Sequence, residues 1–230
     1  MRDELLIDAL AVGKRPLDET GRVTAPGYGQ VGFVQDASVA LRDDGAMTDI
    51  SERYARNAQA FLDTVAAVPA GGWSSPTPCE EWTAAELVQH VVDSQGMFLR
   101  FVGKEPTDVP AVADDPLGAV RAAIVTVQAD LEDPAAAGTT FTGLMGEQTF
   151  EQAVDRFLSF DLVVHRWDLA RAIGQDVVID DAELDRLDAA LAEFGDMPEM
   201  RGPGGFGPAL EAAEGASRQD RVLAFLGRQV

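Results

Sequence analysis

From Thr48 onward apolar side chains recur at intervals of three and four residues, and nothing else in the chain limits its fold so sharply. Ile50, Tyr54, Ala58, Phe61, Leu62, Val65 and Val68 form the first such stripe, which Pro69-Ala70-Gly71-Gly72 ends. Thr83 and Glu86 have the spacing of a capping box, in which a hydroxyl and a carboxylate satisfy free amides at a helix start. Leu87, Val88, Val91, Val92, Phe98 and Leu99 line the helix that follows. Asp115-Pro116 opens a third helix, carrying Leu117, Val120, Ile124, Val127 and Leu131 to a stop at Pro134. Thr149 with Gln152 caps a fourth that runs to about Ile173, with Gly174 as its left-handed terminus. Between the third and fourth, Thr139 to Met145 reads as a short strand or an extended loop. Leu184, Leu187, Leu191 and Phe194 mark a shorter helix ended by Gly195, and Ser217 opens a last one with Val222, Leu223, Phe225 and Leu226. Four substantial helices joined by loops predict an all-α protein, an antiparallel four-helix bundle over residues 47–174 with a small C-terminal helical addition over 175–230 packed on it.

Residues 1–46 hold several glycines and prolines and no sustained period, so they read as a flexible N-terminal extension. Two origins fit: a genuine arm, or a start-site artefact with Met47 as the natural first residue. Charge narrows the partners. With 18 Lys and Arg against 39 Asp and Glu, the net charge of −21 repels phosphate backbones and anionic lipid, so neither nucleic acid nor a membrane surface is expected. No apolar run approaches the roughly 18 residues of a membrane span. An acidic N-terminus and a lone Cys79 point to the reducing cytoplasm, and a homodimer remains open.

The fourth helix carries an anomaly. At 100° per residue, Phe150, Val154, Phe157, Val164 and Ala172 share one arc with Asp161, His165 and Asp168, so three polar side chains face the predicted interior. A buried carboxylate costs several kcal/mol unless it is paired, hydrogen-bonded or bound to a cation. His90, the other histidine, follows Leu87 by one turn and can also face inward. Asp161, His165 and His90 could supply three ligands to a divalent metal and leave a position open for chemistry. The competing interpretation is a core hydrogen bond between His165 and its aspartate, with His90 unrelated to it.

Asp168 has three roles open to it: orienting a ligand imidazole from behind, acting as a fourth ligand, or pairing with an arginine such as Arg166 or Arg171. Cys79 lacks a nearby histidine in sequence and reads as a packed loop residue rather than a nucleophile. Trp73, Trp82 and Trp167 read as core before pocket, and the acidic stretch Asp176 to Glu199 as a solvated helix face. Of all the acids, Asp161 is the one expected to point inward and do chemistry. Gly202 to Gly207 lacks the Lys-Ser or Lys-Thr of a phosphate loop.

Two motifs carry a resemblance. The run from Trp73 to His90, W-S-S-P-T-P-C-E-E-W-T-x-x-E-L-V-x-H, resembles the first helical pair of the actinobacterial DinB-like proteins related to mycothiol-dependent maleylpyruvate isomerase. So does Asp161-x3-His165-Arg166-Trp167-Asp168-Leu169-Ala170-x-Ala172-x-Gly174. The resemblance implies a DinB-like four-helix bundle whose metal ligands are His90, Asp161 and His165. It also implies mycothiol as thiol cosubstrate. The metal would activate the thiol, and the thiolate would attack a small electrophile in an S-transferase or an isomerase. The alternative is a metal-binding sensor or interaction module without turnover. Two His and one carboxylate suit Zn²⁺ first, with Ni²⁺ or Fe²⁺ as substitutes. The chain departs from the isomerase in two ways: the isomerase has a separate C-terminal domain that contributes to substrate handling, and its acid ligand is Glu where Asp161 stands here. Any carboxylate recognition has to come from local arginines, with Arg100, Arg121 and Arg166 as candidates.

Overall fold

The computed structural model describes residues 48–79, 82–143, 145–194, 200–201 and 206–230. The extension over 1–46 and the helix stop at Gly195 lie outside the described residues. The first long helix, α1 (Asp49–Ala66), is capped by Thr48, whose hydroxyl accepts from the Ser51 amide. Gly72–Ser74 form a 3-10 turn before α2 (Ala84–Phe101). Both halves of the predicted capping box form there: the Glu86 amide donates to Thr83 Oγ1 at 3.4 Å, and the Thr83 amide donates to Glu86 Oε2 at 2.8 Å. Helix α3 (Pro116–Glu132) starts on Asp115, whose carboxylate accepts from the Gly118 amide at 2.8 Å. At Pro134 the chain does not simply stop; Asp133 caps a further single turn, α4 (Pro134–Ala137).

Two strands follow, so the protein is mostly helical with a small sheet rather than purely α. Strand β1 (Thr140–Gly143) pairs antiparallel with β2 (Gly146–Thr149), from Thr140 opposite Thr149 to Gly143 opposite Gly146. Gly146 turns the hairpin at φ +85°, a left-handed conformation that glycine adopts without penalty. The first strand was one of two alternatives for Thr139 to Met145. The second is short and polar, with no alternation to announce it.

Thr149 ends β2 and caps α5 (Phe150–Ala153) through the predicted box with Gln152. The chain stays helical through a π turn (Val154–Leu158) into α6 (Ser159–Ala172), and Gly174 at φ +73° follows its end. The expected single inward face is not what α6 shows. Phe160, Leu162, Val163, Val164, His165, Trp167, Asp168, Leu169 and Ala170 are all buried, which covers every side of the helix. The reason is the C-terminal segment, which reaches α6 from outside: Phe206 packs on Phe160 with ring centroids 5.7 Å apart, and Arg228 binds Asp168.

Helix α1 packs on α3 and α6, and α2 packs on the same two, so four long helices enclose one core. Tyr54, Phe61, Leu87, Leu99, Val120, Val127, Phe150, Leu162 and Leu169 are fully buried in it. Helix α7 (Asp181–Phe194) packs on α6 and on α8 (Arg218–Phe225), which begins at a capping box between Ser217 and Asp220. The acidic stretch is not wholly solvated. Glu183 is buried against Arg53 of α1, whose Nε and Nη2 donate to it while Nη1 donates to Asp155. Among the described residues no helix is long and apolar enough to cross a membrane.

Candidate metal centre

Helices α2 and α6 bring His90, Asp161 and His165 together, with one potential ligand atom of each within 4.8 Å of the others. His165 Nε2 is 3.1 Å from Asp161 Oδ1, and His90 Nε2 is 3.5 Å from each Asp161 oxygen. The two imidazoles meet edge to face with centroids 5.1 Å apart. Both histidines are buried and Asp161 is half-buried, and all three line one pocket. Trp82 lies beside His90 with ring centroids 4.5 Å apart and 5.7 Å from His165, so it is a pocket wall as well as a core residue. The loop before α2 places it there, because the Trp82 carbonyl accepts from the Thr77 amide at 3.0 Å and from its hydroxyl at 2.9 Å.

Two polar atoms in this cluster are buried without a hydrogen bond, His90 Nδ1 and Asp161 Oδ2. A folded protein leaves few such atoms, and each one costs about 1–3 kcal/mol unless something meets it. A divalent cation held by these three side chains would meet the Asp161 carboxylate, and the donor set of two imidazoles and one carboxylate is that of a catalytic zinc-type site.

Behind His165 the structure places Asp168 between an imidazole and a guanidinium. Fully buried, Asp168 accepts from His165 Nδ1 at 3.0 Å, which turns Nε2 toward Asp161 and His90. Its arginine partner is neither Arg166 nor Arg171. Arg228 donates to it twice, from Nη2 to Oδ2 at 2.8 Å and from Nε to Oδ1 at 3.2 Å. Arg171 instead pairs with Asp176 and stacks over Trp167. Arg228 was not singled out from the sequence, since it lies 60 positions from Asp168 and no local pattern links them. Nor is Asp161 the one inward acid: Asp168, Asp130 and Glu183 are all more deeply buried.

Electrostatics follow this geometry. Burial works against a charged His165, but the Asp161 carboxylate outweighs it, and with Asp168 it lifts the imidazole to about 9. Burial likewise pushes the Asp161 carboxyl up, and the facing His165 and His90 reverse this to hold it well below the usual range. Arg228, then His165, does the same for Asp168.

The pocket beyond the cluster is walled by Trp82, Phe98, Phe157, Phe160, Met200 and Phe206, with Cys79 and Arg228 also lining it. Cys79 is half-buried there. Trp167 is core, and Trp73 packs against the core from a half-buried position. Arg100, Arg121 and Arg166 do not line the pocket, and Arg100 pairs with Glu105.

Comparison with known proteins adds three findings. Residues 54–170 match the family model described as the mycothiol maleylpyruvate isomerase N-terminal domain. Two uncharacterized proteins of Mycobacterium tuberculosis strains, Rv0738 and MT0763, are each 33% identical over 179 residues, covering 77% of this chain and 96% of theirs. No solved structure matches.

Proposed function

The chain belongs to the mycothiol maleylpyruvate isomerase N-terminal domain family, and from that premise we propose that it is a cytoplasmic, metal-dependent enzyme that adds a low-molecular-weight thiol to a small electrophile. The body of the enzyme is a DinB-like antiparallel four-helix bundle over 47–174, with 175–230 packed on it. His90, Asp161 and His165 are the metal ligands in this reading, Zn²⁺ is the best-suited ion with Ni²⁺ or Fe²⁺ as substitutes, and mycothiol is the thiol that the family suggests. The observation that carries it is the convergence of these three side chains, one potential ligand atom of each within 4.8 Å of the others, with Asp161 Oδ2 buried there without a hydrogen bond.

A bound divalent cation would lower the pKa of a thiol so that thiolate is available at neutral pH. The chain's own residues do the rest. Asp168 takes the Nδ1 proton of His165 in a hydrogen bond, which leaves Nε2 as the ligand atom and fixes the ring plane. Arg228 holds Asp168 in place and balances its charge. Trp82 fixes the face of His90, and the aromatic walls exclude water from the thiolate. Addition of the thiolate to an electrophilic carbon of a C=C bond, with the displaced π pair taking up a proton at the neighbouring atom, makes an S-transferase when the new C–S bond is retained. Addition, bond rotation and elimination make a cis–trans isomerase.

Metal analysis of the purified full chain tests the first half of the proposal. One divalent ion per chain, lost in His165→Ala, is expected; no bound metal overturns it. Consumption of mycothiol with a panel of electrophiles tests the second half, and a flat result across the panel leaves a metal-binding sensor or interaction module.

A further inference from the structure

We infer that the electrophile taken by this pocket is an uncharged, largely apolar molecule and not a carboxylate, an inference that rests on reading the His90–Asp161–His165 cluster as a thiol-using centre. The walls point that way first, since Trp82, Phe98, Phe157, Phe160, Met200 and Phe206 offer aromatic and thioether surface and little to hydrogen-bond. Carboxylate recognition needs a cation that is not already paired with a carboxylate, and the pocket lining presents none among the described residues.

Arg228 is the one arginine or lysine among those lining it, and its fork is engaged. Nε and Nη2 donate to the two oxygens of Asp168, and Nη1 donates to the Leu226 carbonyl at 2.8 Å. A substrate carboxylate could claim this guanidinium only by displacing Asp168, which is fully buried and also holds His165. Arg201 is not among the lining residues, and it spends Nη1 on the Gly207 and Phe225 carbonyls and lies over the Phe225 ring. Charge balance gives the same answer at the other end of the pocket. The Asp161 carboxylate and a thiolate together cancel a divalent cation, as Asp168 cancels Arg228. An additional carboxylate would enter an apolar pocket as an unpaired charge, inside a chain whose net charge is −21.

A matched pair of ligands tests this on the full chain. Methyl benzoate and benzoate share the ring and the carbonyl and differ in the charge and one methyl group, which by itself accounts for only about fourfold in Kd, and Trp82 in the pocket wall reports their binding through tryptophan emission. The ester should bind saturably with a Kd at least about tenfold below that of the acid. The signal should vanish in Trp82→Phe, which keeps Trp73 and Trp167. Equal or tighter binding of the acid, or no saturable binding of the ester, overturns the inference. Asp168→Asn strips the Arg228 fork of its carboxylate, and the acid should then approach the ester in Kd. Phe206→Arg adds a free cation to the pocket lining without touching Asp168 and should narrow the same gap; a gap unchanged by either variant refutes the charge argument. The titrations are run on the full chain both with Zn²⁺ added and after chelation, and the ester preference should hold in both. A lost ester preference with metal binding and thiol consumption intact therefore overturns the substrate class alone, and the reverse outcome overturns the proposed function alone.

Discussion

Two buried charge clusters tie the C-terminal segment to the long helices, and they differ in whether they are closed. Around Arg53 every guanidinium nitrogen has a partner: Nε lies 3.0 Å from both Glu183 oxygens, Nη2 is 2.6 Å from Oε2, and Nη1 reaches Asp155 through both its carboxylate and its carbonyl. Around His165 the inner half is closed in the same way by Asp168 and Arg228, while the outer half leaves His90 Nδ1 and Asp161 Oδ2 unmet. The contrast separates a closed tie from a candidate site. A cluster that satisfies itself has nothing to offer a ligand, whereas buried atoms left over in a well-packed core are costly unless something occupies them.

Breaking the closed cluster gives the largest expected effect. Arg53→Ala leaves Glu183 buried without its cation, and about 3–5 kcal/mol of stability should be lost in denaturant unfolding. Metal affinity of the folded protein should not change. A parallel loss of metal affinity would mean that the two clusters are one cooperative unit.

The open cluster should instead show itself through pH. His165 binds its proton more tightly in the folded protein, where its pKa is about 9, than in the unfolded chain near 6.5. Its contribution, up to about 3 kcal/mol, is therefore fully present below pH 6.5 and is lost as pH rises through 9. Denaturation of chelator-treated protein across that window should show the decline. With Zn²⁺ the trend inverts, since a ligand imidazole must be neutral and metal uptake releases the proton. A flat profile in metal-free protein would remove the His165–Asp161 ion pair from the comparison.

Asp168→Asn probes the seam between the closed and open halves. Weakening the hold on His165 should lower metal affinity about 10- to 100-fold without changing the number of ions bound. A Co²⁺-substituted sample provides the readout, because its visible spectrum reports ligand geometry. An unchanged affinity and spectrum would reduce Asp168 to a packing partner of Arg228.

What the sequence reveals about these clusters follows contact range. Thr83 with Glu86, Asp115 with Pro116 and Thr149 with Gln152 are visible because each acts within three residues of itself. Asp161 and His165 are visible as neighbours because one helical turn separates them. Arg228 with Asp168 and Arg53 with Glu183 are not, since the partners lie 60 and 130 positions apart and only tertiary packing chooses them. Helical spacing offers Asp168 the nearby Arg166 and Arg171, whereas the chain brings in Arg228 of its C-terminal tail. Gly227 at φ +86° makes that approach possible: a Cβ there would come within 2.8 Å of the Gly207 Cα. The π turn over Val154–Leu158 is hidden for another reason. An inserted residue shifts the phase of a stripe, but a helix buried on every side has no stripe to shift.

Thr83→Ala gives the smallest expected effect and tests whether the comparison is specific to the clusters. Thr83 caps α2 and bridges to Pro76, next to the turn that presents Trp82 to His90, yet it belongs to neither cluster. Loss of the cap should cost about 1 kcal/mol in denaturant unfolding, the usual value for removing a threonine N-cap. Because the capping box is local and exposed, the pH dependence assigned to His165 should keep its shape, and metal affinity should move far less than in Asp168→Asn. If Thr83→Ala instead weakened metal binding as strongly as Asp168→Asn, the Trp82 loop would be holding His90 in place, and the open cluster would extend beyond the two helices that carry its ligands.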